Sequence, residues 1–373
     1  MAVATPLGCN MRRAAERAIA PNCGSWRTTS VRLLTHAVQC CQRLALNRDR
    51  SSRSARGADT GFRNLVVAAL VISCALSLPA AAATYFLTIA GLGGAPEYET
   101  QFPQVATELD KALQANNGNV HVETLKGASA TRKQIEETFA RLAAQVKEDD
   151  FFAVTLIGHG TFDGAEYKFN VPGPDPTATD LARWMDRIPA RQQLIAVLTS
   201  SSGAALPVLA KKGRIVITAT KSGTEKNVVV FTRYWVDALR DPSADADKNG
   251  AVSALEAYRY ASRKTAAYYE EQKALASEHA MLSDNGSATG ERNPDATNGQ
   301  GLAAGAFALI RSAEPATEAL TEEKRALLAK KEDIQARIDR LKYQKAGMDE
   351  QEYRKQLAAA LLELAKTQAE IDK

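Results

Sequence analysis

Beyond residue 74 the 373-residue chain has no cysteine; Cys9, Cys23, Cys40, Cys41 and Cys74 are the five it contains. This excludes a disulfide framework, a thiolate-ligated zinc site and a cysteine nucleophile from everything downstream. Lysine is missing from residues 1–64, where 11 arginines against Glu16, Asp49 and Asp59 give a net charge of +8; the remaining 309 residues carry −4. The body is mildly acidic, has no basic stripe, and is not expected to bind nucleic acid. No uninterrupted apolar run reaches the roughly 20 residues of a membrane span. With 45% hydrophobic and 24% charged residues, the chain has the balance of a globular protein.

The apolar run that does exist, Leu65–Leu78, follows Arg63 and precedes Pro79 and the small-residue string Ala80–Ala83. This is the layout of a secretory signal peptide over residues 62–83, with cleavage near Ala82 or Ala83. It predicts a periplasmic or secreted protein that meets the membrane only if the leader stays uncleaved. A lipoprotein-type site at Cys74 fits less well, because the apolar run before it is short. Residues 1–61 are Arg- and Ser-rich and fit no secretory plan. They read as an untranslated stretch upstream of the true start, or as a disordered basic extension.

From residue 84 to 312 short apolar runs alternate with helical patterns. Strands are expected at Tyr85–Ala90, Val120–Leu125, Phe151–Ile157, Leu194–Leu198 and Arg214–Thr220. Helices are expected at Gln104–Asn116, Thr131–Val146, Thr179–Ile188, Ala204–Lys211, Val228–Arg240 and Ala254–Gln272, and Ala303–Ile310 closes the domain with an apolar run. The order predicts an α/β domain with a mostly parallel sheet covered by helices on both faces. Ser283–Gln300, rich in Asn, Gly, Asp and Ser, is expected to be a mobile loop. After Pro315, Leu320, Leu327, Ile334 and Leu341 recur every seven residues, with Ile338 between them. Ala346–Asp349 breaks the pattern, which resumes with Tyr353, Leu357, Leu361, Leu364 and Ile371. Residues 313–373 therefore read as a helical hairpin or coiled coil, suited to packing or self-association.

Two expected strands end in unusual polar motifs, Leu156-Ile157-Gly158-His159-Gly160 and Thr199-Ser200-Ser201-Ser202-Gly203. Ligands of open parallel sheets bind outside the carboxyl ends of the strands, so His159 and Ser200 meet there if their strands are neighbours. A strand ending in G-H-G, followed by one ending in small–Cys–x–Ser–Gly, resembles the caspase/legumain clan of peptidases. Arg214–Thr220, Phe231–Leu239, Ala244–Gly250 and Glu256 are similar to segments of its bacterial caspase-like and C13-like members. The likeness covers about Thr84–Arg311 and implies a caspase-like fold. It implies that His159 is the catalytic histidine and that Ser200 stands where the family has its nucleophilic cysteine; Gly160, a glycine beside His159 at the sheet edge, has an N–H that can face an oxyanion. The departure at Ser200 implies a domain that has lost peptidase activity and binds a peptide or protein partner. One alternative is a serine hydrolase acting on peptide bonds through a Ser200–His159 dyad. Another is an assembly module working through the C-terminal helices, with the cleft vestigial. His121 and His279 read as structural.

Asp245, Asp247, Asn249 and Glu256 match D-x-[DN]-x-[DN]-G-x5-E, the spacing of a calcium loop. Ser253 and Glu256 equally form a capping box at a helix start, and Asn249-Gly250 a turn. Calcium is the one cofactor the sequence raises. Gly91–Gly94 lacks the Lys-Ser/Thr of a phosphate loop and reads as a strand-edge loop. Lys221–Lys226 flanks the pocket of the resembled fold, either selecting a charged group or forming a solvated loop.

Overall fold

The structure is a computed structural model that describes residues 82–116, 119–311 and 322–372. The expected leader core, the Arg-rich segment before it and Leu320 lie outside the described residues. The elements in order are β1 (Thr84–Ala90), α1 (Pro96–Gln114), β2 (Val120–Leu125), α2 (Arg132–Gln145), β3 (Phe151–Gly158), β4 (Gly160–Phe162), β5 (Tyr167–Phe169), α3 (Ala178–Met185), β6 (Gln192–Thr199), α4 (Leu206–Leu209), β7 (Arg214–Thr218), α5 (Phe231–Ala238), β8 (Ala251–Ser253), α6 (Ala254–Glu271), β9 (Met281–Ser283), α7 (Leu302–Ala306), β10 (Ala308–Arg311), α8 (Glu322–Gln344) and α9 (Glu350–Ile371). Six strands form the central sheet in the order β2-β1-β3-β6-β7-β9. The first five are parallel and β9 is antiparallel to β7.

The strands read as continuous apolar runs because both faces are buried. Alternate residues go to opposite layers. Ala153, Ile157, Leu194, Ala196, Ile215 and Ile217 meet the layer of α1, α5 and α6. Phe152, Val154, Leu156, Ile195, Val197 and Val216 meet the layer of α2, α3 and α4. In α2, Ile135, Thr138, Phe139 and Leu142 share the buried face, and Thr131 caps the start by accepting from Gln134 N. The expected α/β architecture is therefore observed.

Several expectations need correction. Helix α1 begins at Pro96, eight residues before the expected start, and runs through Pro103. Pro96 suits the first turn, where a missing N–H costs nothing, and Glu97 and Glu99 favour that end. The helix expected at Ala204–Lys211 is a 3-10 turn, Ser202–Ala204, followed by the single turn α4. The run Ala303–Ile310 divides into α7 and β10. Segment Ser283–Gln300 is a loop, but a well-tied one. The Asp284 carboxylate accepts from Gly301 N and Ala304 N, both at 2.9 Å, and Gln300 Oε1 accepts from Asp284 N at 2.8 Å.

The C-terminal helices α8 and α9 fold against each other. Ile334, Ile338 and Ala360 are buried between them, with Leu357 and Leu364 alongside, and Arg337 pairs with Glu363. Leu361, expected in this seam, is exposed, as is Leu362. The seam instead follows 353, 357, 360, 364, 367 and 371, alternating steps of four and three, which places Leu361 one position outside it. Helix α8 touches the domain where Tyr343 Oη donates to Gln300 O at 2.7 Å. Among the described residues, no helix is long and apolar enough to cross a membrane.

Candidate functional site

The strand order reverses between β1 and β3, since β1 is followed outward by β2 and β3 by β6 and β7. The crevice outside the carboxyl ends at such a switch point is where open α/β sheets place ligands. Strand β1 ends there in Gly91–Gly94, β3 in His159, and the adjacent β6 in Ser200, with Gly158 paired in register with Thr199. The condition for bringing His159 and Ser200 to one edge is met.

His159 Nε2 lies 2.9 Å from Gly93 O. A carbonyl only accepts, so Nε2 is the protonated nitrogen, and in the neutral form of the ring the lone pair lies on Nδ1. The ring is pinned edge-on against Tyr98 and Phe102, at centroid distances of 5.2 and 5.1 Å. Gly93 is itself fixed by the start of α1. Glu99 Oε1 accepts from Gly93 N and Gly94 N, both at 3.1 Å. A Cβ on residue 93 would stand 2.3 Å from Glu99 N. The residue supporting His159 is thus a backbone carbonyl, which has no side-chain signature in the sequence.

Ser200 is 3% exposed. Its hydroxyl donates to Gly160 O at 3.0 Å and accepts from Gly160 N at 3.1 Å. Both bonds go to one backbone residue, and the N–H that Ser200 occupies is the one expected from the sequence to face an oxyanion. Gly160 has no room for a side chain; a Cβ would meet the Tyr167 ring at 2.5 Å and Ser200 O at 2.6 Å.

Under this turn lies a closed set of buried hydroxyls. Thr199 Oγ1 donates to Ser200 O at 3.0 Å, so Tyr167 Oη, 2.7 Å away, is the donor to Thr199. Burial pushes the Tyr167 phenol well above its ordinary pKa and keeps it a donor. Thr220 Oγ1 accepts from Gly203 N at 2.9 Å and donates to Ser222 O at 3.2 Å. Ser202 Oγ, 3.1 Å from Thr220 Oγ1, therefore gives its proton to Thr220. A Cβ on Gly203 would fall 2.2 Å from the Lys221 carbonyl carbon, so glycine is required where the two loops cross. Ser201 adopts a left-handed φ of 55°. Its N–H donates to Glu225 O at 2.7 Å, while its Oγ has no hydrogen-bond partner among the described residues.

Glu225 joins three segments. Besides holding Ser201 through its carbonyl, its carboxylate accepts from Lys221 N at 2.9 Å and His279 N at 3.1 Å, and lies 2.5 Å from His279 Nδ1. The Lys221–Lys226 segment is thus a braced loop. His279 is its anchor, and His121 stacks on Tyr85 at 4.5 Å.

In the second motif, Asp245, Asp247 and Glu256 bring one carboxylate oxygen each within 4.8 Å of one another. The capping box is present in full: Ser253 Oγ accepts from Glu256 N, and Glu256 Oε2 from Ser253 N at 2.9 Å. Asn249 turns inward to the same carboxylates, donating from its N–H to Asp245 Oδ1 and Asp247 Oδ1, both at 3.1 Å. Desolvation, then the Glu256 charge, pushes Asp247 up to about 6. A cation would relieve that repulsion, and the donor set is the oxygen-rich kind that calcium takes. Saturable calcium binding by calorimetry, lost in Asp245→Ala, is the expected result. Baseline heat across millimolar calcium would leave the capping box as the motif's whole role.

No protein-family model matches the chain, and no curated protein matches it. Among solved structures, a protein of Geobacter sulfurreducens aligns with a TM-score of 0.39 at 10% identity, over 57% of this chain and 97% of its own. The Drosophila initiator caspase Dronc aligns with a TM-score of 0.36 at 10% identity, over 55% of this chain and 80% of its own. Likenesses this distant carry nothing about which residues react.

Proposed function

We propose that this chain is an exported caspase/legumain-like domain that no longer cleaves peptide bonds and binds a peptide or protein partner at the switch-point crevice. The observation that carries the loss of activity is the Ser200 hydroxyl. Its proton goes to Gly160 O rather than to an imidazole nitrogen, and its oxygen covers the Gly160 N–H. Attack on a carbonyl would require breaking both bonds, each worth about 1 kcal/mol net, before His159 could take the proton. Partner binding is supported by the place of this edge at the topological switch point of the sheet. Export is supported by the Leu65–Leu78 run and the alanines after Pro79. Expressed in a Gram-negative host, the mature protein is expected to begin near Ala83 or Thr84, and N-terminal sequencing that finds Met1 on a cytoplasmic product removes export from the proposal.

A second reading has its own support. The Nε2–H tautomer imposed by Gly93 O leaves Nδ1 of His159 as a base, the state a serine hydrolase needs. Incubation with a fluorophosphonate probe separates the two. No labelling of Ser200 and no cleavage of a peptide library is the expected result. Labelling abolished by His159→Ala would establish the hydrolase instead.

A further inference from the structure

Away from His159 and Ser200, a cavity of about 510 Å³ opens between α6, the start of α5 and the segments 276–280 and 291–295. Its volume is that of a small-molecule site, in the range of about 300–1,000 Å³. One face of α6 forms its long wall through Tyr258, Thr265 and Tyr269, and Phe231, Ala280 and Pro294 add apolar surface. Phe231 and Tyr258 stand at 55° to each other with centroids 6.1 Å apart.

Three arginines, Arg259, Arg263 and Arg292, line the same cavity. Arg259 donates to Pro294 O at 2.7 Å and Arg263 lies over the Tyr260 ring. Neither Arg263 nor Arg292 has a carboxylate within ion-pair distance among the described residues. Of the two acids in the lining, Asp295 is turned onto Thr297 and Asn298. Glu278 is buried and already used, accepting from Val230 N at 2.8 Å, Phe231 N at 3.1 Å and Tyr269 Oη at 3.0 Å. Thr265, 7% exposed, completes the wall between Tyr258 and Tyr269.

We infer that this cavity binds an organic anion with an apolar body, its charged group at the arginines and its body against Phe231, Tyr258 and Pro294. The site is separate from the switch-point crevice and does not depend on the function proposed there. Its wall residue His279 is joined through Glu225 to the backbone of Ser201, so a bound anion would rest against the brace of the Ser200 turn.

The test uses anilinonaphthalene sulfonate, an aromatic sulfonate that fluoresces in apolar surroundings, titrated into the full chain. One saturable site is expected. Ala266→Trp, which fills the cavity from its rim, and the double substitution Arg263→Glu with Arg292→Glu are each expected to weaken binding about tenfold or more. Leu361→Ser and Leu362→Ser, at exposed apolar positions of α9 away from the lining, are expected to change nothing. Unchanged affinity in the arginine variant overturns the inference, as does a signal lost with either surface leucine. Far-UV circular dichroism confirms that each variant is folded, and if Ala266→Trp is not, the arginine variant decides. None of these variants touches His159 or Ser200, so the outcome is independent of the fluorophosphonate result.

Discussion

Replacing Ser200 by cysteine in a chain beginning at Thr84 is expected to create a site that a peptidyl electrophile labels stoichiometrically. The body has no other cysteine, so any label reports on residue 200 alone. A thiol is a weak donor and a weak acceptor, so it does not reproduce the paired bonds that tie the Ser200 hydroxyl to Gly160. The side chain is released and the Gly160 N–H is freed for an oxyanion. A thiol also starts from a pKa near 8.5 and falls further beside an imidazolium, whereas a hydroxyl must lose its proton during attack. His159 is already in the tautomer that accepts at Nδ1. His159→Ala in the cysteine background is expected to slow labelling by roughly 10²-fold or more, the usual scale of general-base assistance. Persistent silence of the Ser200→Cys variant would count against a peptidase-like crevice at this edge.

Gly160→Ala is expected to be clearly destabilising. The added Cβ would lie 2.5 Å from a carbon of the Tyr167 ring, 2.6 Å from Ser200 O and 2.7 Å from Thr199 Oγ1, all buried. None of these is the loose end of a flexible chain. Tyr167 is held by Thr199, and Ser200 O belongs to the backbone turn. Overpacking of this kind costs about 1–3 kcal/mol, and in a domain of this size about 1 kcal/mol moves Tm by roughly 2–4 °C. A Tm lower by about 5–10 °C in a thermal scan is expected. Gly347→Ala is the matched control, because its Cβ would meet nothing within 4 Å and it is not a left-handed position. Equal midpoints for the two variants would show that the edge around Gly160 is looser than its contacts require.

The sheet was legible because burial on both faces writes long apolar runs, and β1, β3, β6 and β7 were all expected within a few residues. The three-residue strands β4, β5, β8 and β9 were not, since alternation needs more length than they have. Helix α1 was begun too late because Pro103 reads as a boundary while sitting inside it. Helix α5 was begun too early because its first amides are held by Glu278, 47 residues away at Phe231, a cap that no local pattern contains. In the hairpin, Ala360 and Thr367 fill seam positions that hydrophobicity does not mark, and Leu361 drew the reading off register. The motifs at His159 and Ser200 mark the ends of two strands that are paired neighbours in the sheet. The Gly93 carbonyl was missed because a backbone acceptor has no residue type. The link from Glu225 to His279 spans 54 residues and leaves no spacing to read.

The buried hydroxyls beneath the Ser200 turn have a further consequence. Tyr167, Thr199, Ser202 and Thr220 close their hydrogen bonds on one another and on the backbone, without using the side chain at 200. Position 200 therefore behaves as a socket, whose occupant can be exchanged while the seat keeps its shape. Thr220 is in the opposite situation, since removing its hydroxyl would strand Gly203 N and the Ser202 proton together. One substitution at 200 would change the group presented there, whereas altering the seat would take several coordinated changes.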